Sequence, residues 1–296
     1  MRKFRALNNT QNAPTFRSRT NTKVLLGDHS SLYFPYCNFS LPAEYSNFAP
    51  KNEKMTNWLE RTELLLSEQS MTQLKSAHVL IVGLGGIGSY AAEFIARAGV
   101  GKMTIIDGDV FDPSNKNRQL TALDSTINQN KAKVLAARIK DINPECELIV
   151  MEEFVLPERV WEILKTDEPD YVMDCIDSVT PKLEWILACK RLKIKIISHM
   201  GAGGKTDPTQ VRVSNMEQLS GCKLGAHIKK RMKRKHASYR GVKVVFSTEV
   251  QQPHSLKMTD GTRYKKSFYG TVSYMPALFG LMGAAEVLRH LSKVKV

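Results

Sequence analysis

None of the five cysteines, Cys37, Cys146, Cys175, Cys189 and Cys222, stands in a C-x-x-C pair. The scatter excludes a paired-cysteine zinc knot and a disulfide scaffold, and points to a reducing compartment, the cytoplasm. No signal-length apolar segment follows the basic opening Met1, Arg2, Lys3, Phe4 and Arg5. The opening does not read as a secretory leader; a mitochondrial-type presequence could open this way, with Met55 as an alternative start of the folded part. The one long uncharged run, Ser267 to Ala285, approaches a membrane span in length but is broken by Gly270, Pro276, Gly280 and Gly283. It reads as a buried loop followed by a core helix.

Acidic residues are also in deficit: 43 Lys and Arg face 29 Asp and Glu, a formal charge of +14. This balance favours polyanionic partners without separating nucleic acid from anionic lipid. Between Lys223 and Arg240 the deficit is complete, with Lys223, Lys229, Lys230, Arg231, Lys233, Arg234, Lys235 and Arg240 and no acid. A solvated helix that pairs its own charges would interleave both signs. Lys229, Lys230, Arg231, Lys233, Arg234 and Lys235 are therefore candidate nucleic-acid contacts, with peripheral membrane contact the competing use of the same charge.

What is present divides the chain. Residues up to about Lys54 are rich in Asn, Ser, Pro and Thr without sustained periodicity, so residues 1–55 read as a disordered extension ahead of a folded domain at 56–296. From Lys75 onward, short apolar runs alternate with helix-like segments. Strands are expected at His78 to Val82, Met103 to Ile106, Glu147 to Met151, Tyr171 to Asp174 and Lys193 to Ser198, and helices from Ser89 to Ala98 and from Thr180, with Thr180 as cap and Pro181 first. The pattern predicts an α/β fold with a Rossmann-like, mostly parallel sheet and crossover helices. After Gly204 the rhythm changes: strands at Gln210 to Ser214 and Lys243 to Thr248 enclose the basic segment, and a last helix runs from about Ala277 to Leu291. This predicts a smaller C-terminal β-containing region carrying a basic helix, so that the domain divides into parts 56–204 and 205–296.

Gly83-x-Gly85-x-x-Gly88 follows the first strand, and Asp107 ends the second, where a carboxylate can bind ribose hydroxyls. A NAD-dependent dehydrogenase would use this loop too, but a hydride-transfer constellation is missing. Ser114, Asn115, Lys116, Asn117, Arg118 and Gln119, followed by Lys131, place cations and amide donors downstream. Such a cluster suits a triphosphate being cleaved, because Arg and Lys stabilise charge moving onto the leaving pyrophosphate. Asp177, beyond the fourth strand, is a hard oxygen ligand suited to Mg²⁺, or alternatively a helix cap. Cys175 and Cys189 read as core residues, Cys222 as a small loop residue for which a thioester or relay role is conceivable, and His199 as a possible general base.

Together, Gly83 to Gly88, Asp107-x-Asp109, Ser114-Asn115-x-Asn117-Arg118-Gln119, Lys131 and Asp174-Cys175-Ile176-Asp177 resemble the signature of the ubiquitin-activating-type adenylyltransferase superfamily, whose members activate a carboxylate as an acyl-adenylate. Gly201 to Gln210 and Val245 to Glu249 are similar to segments of its tRNA threonylcarbamoyladenosine dehydratase branch. The sulfur-carrier-activating branch, the alternative, usually carries the C-x-x-C pairs absent here. The resemblance implies that Gly83, Gly85, Gly86, Gly88, Asp107, Ser114, Asn115, Arg118, Lys131, Asp177 and Ser178 line an ATP site. In it, Asp107 would hold ribose, Arg118 and Lys131 phosphates, and Asp177 Mg²⁺. Arg61 occupies the place of an arginine that often reaches into the partner subunit's site, which implies a homodimer. Some members of the branch also have sulfur-transfer partners.

Overall fold

Strand β1 (His78–Val82) is buried at every residue, as expected of a parallel strand covered by helices on both faces. Its side chains alternate between two cores: Val79 and Ile81 join one apolar cluster, Leu80 and Val82 the other. In the computed structural model, residues 57–259 and 267–293 are described. The expected extension at 1–55, the presequence, the Met55 start and Cys37 lie outside the described residues.

The further strands are β2 (Lys102–Ile106), β3 (Glu147–Met151), β4 (Tyr171–Asp174), β5 (Lys195–His199), β6 (Val211–Asn215), β7 (Lys243–Ser247), β8 (Leu256–Met258) and β9 (Ser267–Tyr269). The helices are α1 (Glu60–Leu65), α2 (Glu68–Ser76), α3 (Gly88–Arg97), α4 (Lys131–Ile142), α5 (Pro157–Asp167), α6 (Val179–Leu192), α7 (Lys223–Arg234) and α8 (Tyr274–Leu291). A seven-stranded sheet runs in the order β3-β2-β1-β4-β5-β7-β6, parallel except for the antiparallel pair β6 and β7. The expected Rossmann-like sheet is therefore present. The strands after Gly204 extend that same sheet, while β8 and β9 form a separate two-stranded one.

Helices α3, α4 and α8 contribute Ala91, Ile95, Leu135, Phe279 and Val287 to one core. Helices α5, α6 and α7 contribute Ile163, Leu183, Trp185, Ile228 and Met232 to the other. Several boundaries differ from expectation. Lys193 takes a left-handed conformation (φ 60°) as the C-cap of α6, so β5 starts two residues later than Lys193. Helix α6 starts at Val179 behind Ser178, placing Thr180 and Pro181 inside its first turn. The uncharged run from Ser267 divides into strand β9 and helix α8. Among the described residues, no helix is long and apolar enough to cross a membrane.

A buried polar network joins the carboxyl ends of β4 and β5. Lys182 Nζ lies 2.7 Å from Asp174 Oδ2, both side chains being fully buried. Ser198 Oγ donates to the same oxygen at 2.6 Å, and the Ile176 N–H donates to Asp174 Oδ1 at 3.0 Å. His199, beside it, faces the Asp174 carbonyl oxygen through Nδ1 at 3.0 Å. A carbonyl can only accept, so Nδ1 carries the proton. Nε2 is buried without a partner and packs where a side chain on Gly283 would otherwise sit. Burial pushes the imidazole pKa down to about 3, against the pull of the Asp174 carbonyl. His199 is thus a neutral core residue rather than a general base.

Replacing Lys182 by Met strands the Asp174 carboxylate in the core and is expected to cost about 3–5 kcal/mol, read from the urea unfolding midpoint. The depressed His199 pKa means that the unfolded chain alone binds this proton between the ordinary imidazole range and about pH 3. Stability should therefore fall as pH drops through that window, by up to about 1.4 kcal/mol per pH unit from this group. His199→Asn, which keeps a donor toward Asp174, should flatten the pH dependence of urea unfolding by close to one proton.

Candidate functional site

The strand order reverses between β1 and β4, and open parallel sheets form their ligand crevice beyond the carboxyl ends at such a reversal. The glycine loop enters it from β1. Gly83 is left-handed (φ +85°), and a Cβ on Gly88 would lie 1.9 Å from the Gly83 carbonyl oxygen. Only glycine lets the strand turn this tightly into α3, whose unpaired N–H groups and positive end then face the crevice. Ser89 Oγ donates back to the Gly85 carbonyl at 2.7 Å.

Asp107, just beyond β2, locks the loop from the side. Its Oδ2 accepts the Leu84 N–H at 2.6 Å and its Oδ1 the Asp109 N–H at 2.9 Å. Burial raises its pKa, while the nearby Lys131 ammonium and these two N–H groups oppose the rise. Each carboxylate oxygen retains a lone pair able to accept a hydroxyl. Lys131 opens α4 behind its cap Asn130, whose Oδ1 accepts the Ala132 and Lys133 N–H groups. The buried Lys131 ammonium sits 2.7 Å from Asp109 Oδ2.

The segment from Asp112 to Gln119 curls over the loop. Asp112 and Asn115 form a reciprocal capping box, with Asn115 buried and Ser114 exposed. The Arg118 guanidinium donates to the Ser114 carbonyl at 2.9 Å and to Asn117 Oδ1 at 2.8 Å. Burial lowers its pKa, and the carboxylates of Asp177 and Asp112 pull it back up. Gly86 packs against Arg118 and against Pro276 of α8, and Asn117 Nδ2 donates to the Thr271 carbonyl at 3.0 Å. The structure therefore brings the glycine loop, Asp107, Asp109, Lys131, Ser114, Asn115, Arg118 and Asp177 to one crevice.

Asp177 is exposed and Ser178 is buried, with its Oγ 3.4 Å from Asp177 Oδ1. The cap position of α6 belongs to Ser178, without a side-chain cap bond, and Asp177 stands just before it. Among the described residues no group of three His, Cys, Asp or Glu side chains could hold a metal. One exposed carboxylate still suits Mg²⁺, which commonly takes one or two carboxylates and completes its shell with water and phosphate oxygens.

Arg61 is not brought to this crevice within one chain. It is exposed on α1, and the neighbouring Leu59 packs against Gly99, past the far end of α3 from the glycine loop. The six basic candidates lie on or just after α7, which buries Gly225, Ile228 and Met232. Arg231 Nη1 donates to Thr180 Oγ1 at 3.0 Å, Lys235 lies 3.1 Å from Glu184, and Lys229 sits 5.3 Å from the centroid of the Tyr239 ring. Lys230, Lys233 and Arg234 are exposed. Cys222 is buried as the cap of α7, its sulfur accepting the Gly225 N–H at 3.5 Å. Cys175 and Cys189 are buried, and desolvation raises both thiols far above their ordinary range.

Two lysines escaped sequence reasoning. Lys182 supports the Asp177 loop from beneath, through Asp174. Lys205 is buried, donating to the Ser247 and Glu249 carbonyl oxygens at 2.8 and 2.7 Å. Nothing in a single sequence separates such lysines from solvated ones.

Comparison with known proteins gives consistent matches. The chain is 36% identical to the tRNA threonylcarbamoyladenosine dehydratase of Escherichia coli K12 over 253 residues, 79% of this chain and 94% of that protein. It is 38% identical to the Bacillus subtilis protein of the same name over 195 residues, 66% of this chain and 76% of that one. The crystal structure of E. coli tRNA N6-threonylcarbamoyladenosine dehydratase, TcdA, in complex with AMP matches with a TM-score of 0.71 at 35% identity, covering 79% of this chain and 93% of that chain. The structure of TcdA with ATP also gives 0.71. The ThiF family pattern runs across residues 59–296, the glycine loop, the polar segment and α8 included, and the chain belongs to the ThiF family.

Proposed function

We propose that this protein is an ATP-dependent tRNA-modifying enzyme that adenylates the carboxylate of threonylcarbamoyladenosine next to the anticodon and closes it into a ring with net loss of water. The carrying observation is the convergence of Asp107, Arg118, Lys131 and Asp177 beside the glycine loop, in a chain aligned with almost the whole length of a relative named for this activity.

In this reading ATP is the co-substrate. The Gly83, Gly85, Gly86 and Gly88 backbone, Ser114, Asn115 and Ser178 surround it, and Asp107 accepts a ribose hydroxyl. The substrate carboxylate attacks the α-phosphorus, the bond to the bridging oxygen breaks, and pyrophosphate leaves carrying the electron pair. Arg118 and Lys131 stabilise the charge that develops on it. A carboxylate is a poor acyl donor; its mixed anhydride with AMP is a good one. A nitrogen of the same substrate then attacks the activated carbonyl, loses its proton and expels AMP. Nucleophile and electrophile belong to one molecule, so proximity replaces a covalent enzyme intermediate and no cysteine is required. Asp177 would hold Mg²⁺, which supplies charge neutralisation on the phosphates.

Residues 56–204 carry the nucleotide chemistry and 205–296 the RNA contacts, through Lys229, Lys230, Arg231, Lys233, Arg234 and Lys235. The protein would act as a cytoplasmic homodimer, with Arg61 of one copy serving the crevice of the other; a sulfur-transfer protein is a further candidate partner. Arg61 shares α1 with Leu64 and Leu65, which are 81% and 84% exposed, an apolar surface that a second copy would cover.

Incubation with ATP, Mg²⁺ and tRNA bearing threonylcarbamoyladenosine should yield AMP, pyrophosphate and a nucleoside lighter by one water in mass analysis. Arg118→Ala should lower turnover by about 10²–10³-fold without shifting the unfolding midpoint. Pyrophosphate exchange driven by a di-glycine protein tail, with tRNA inert, would overturn this reading in favour of carrier-protein activation. Mixing inactive Arg61→Ala and Arg118→Ala proteins should restore activity if Arg61 acts across a dimer, because mixed dimers then hold one intact site.

A further inference from the structure

Between the start of α7 and the segment at Val250 and Gln251 lies a cavity of about 570 Å³. Lys223, Ala226, Lys230 and Lys233 all line it, and their spacing of three, four and three residues places them on one helical face. The small side chain of Ala226 leaves an indentation between lysines, and no acidic residue is part of the wall. Val250, 75% exposed, supplies an apolar lip. Gln251 closes the wall at 9% exposure; its Nε2 donates to the Gly203 carbonyl at 3.1 Å, while its Oε1 has no partner among the described residues.

We propose that this cavity receives one unpaired nucleotide of the RNA substrate, the base against Ala226 and Val250 and the flanking phosphates on Lys223, Lys230 and Lys233. The inference rests on the tRNA-modifying reading above and deepens it: α7 recognises a single-stranded loop, not only a polyanion. The volume falls in the range of small-ligand pockets, about 300–1,000 Å³. A unit with a flat apolar face flanked by negative charges matches the apolar and basic parts of the wall. A membrane surface would instead call for several protruding apolar side chains, and here Val250 is the one large exposed apolar side chain among the lining residues.

The test uses the full chain and fluorescence anisotropy with two labelled RNAs, a hairpin with a single-stranded loop and a blunt duplex of the same stem. The hairpin should bind about tenfold more tightly, as stacking of one base provides. Ala226→Leu fills the indentation between the lysines at an exposed helical position and should erase that preference while leaving duplex binding unchanged. Lys230→Gln should weaken both RNAs alike and reduce the salt slope by about one. Equal binding of hairpin and duplex by the wild type, or a hairpin preference that survives Ala226→Leu, would overturn the proposal and leave α7 a purely electrostatic surface. If neither RNA binds while phosphatidylserine vesicles do, the RNA reading of the whole protein falls with it. If the hairpin preference behaves as expected but no water is lost from the tRNA, the cavity stands and the reaction assignment fails.

Discussion

Lys182 and Asp174 form an ion pair with no exposed surface at the floor of the crevice, and the position of the β4–α6 connection depends on it. Burying two charges costs several kcal/mol for each ion, recovered only when geometry is good and the remaining valences are filled. Here they are filled: Ser198 and the Ile176 N–H complete the Asp174 carboxylate, and Lys182 also reaches Ser198. The network ties β4, β5 and α6 together at one level, so the loop bearing Asp177 and Ser178 leaves the sheet in one direction. A pair of apolar residues could fill the same volume, but would leave the Ile176 N–H without its acceptor.

Above that floor the charges of the crevice are arranged in opposing pairs. Lys131 is matched by Asp109, and Arg118 lies in the field of Asp177 and Asp112. Without an anion the site therefore avoids the cost of several uncompensated cations. An incoming polyphosphate would compete with these carboxylates for the same ammonium and guanidinium groups. In the glycine loop the Leu84 N–H is taken by Asp107 and the Gly83 N–H by the Ile106 carbonyl, and α3 contributes its positive end without a titratable group.

The parts of this design that repeat, or that allow one residue type only, were legible in the sequence. β1 and β4 read as apolar runs because both faces are covered, and the turn into α3 read as glycine because Gly83 and Gly88 have no alternative there. Asp107, Arg118 and Lys131 stood out through their spacing from that turn. Illegible were residues whose role depends on contacts distant in sequence. Lys182 looks like any helical lysine until α6 is laid against β4 and β5. His199 looked like a candidate base until its ring proved to be sealed under Gly283. The late start of β5 was hidden because Lys193 takes a left-handed cap that sequences usually mark with glycine. That β7 and β6 would join the main sheet, one parallel and the other antiparallel, was not encoded in local periodicity either.

Helix α6 connects the Asp177 loop to α7. Its first turn follows Asp177 and Ser178 and sends Lys182 down into the floor of the crevice. Its outer side presents Thr180 to Arg231 and Glu184 to Lys235, while Ile228 and Met232 of α7 share the core that also holds Leu183 and Ile186. Exposed polar bonds of this kind contribute little stability, so α7 is held chiefly by its buried apolar face. What Arg231 and Lys235 fix is orientation: with both turned toward α6, Lys230 and Lys233 remain on the face that borders the cavity. The distance from the basic face to the Asp177 loop is then set by one rigid fourteen-residue helix and not by a linker. A polyanion resting on α7 and a phosphate group beside Asp177 would consequently be measured against the same element.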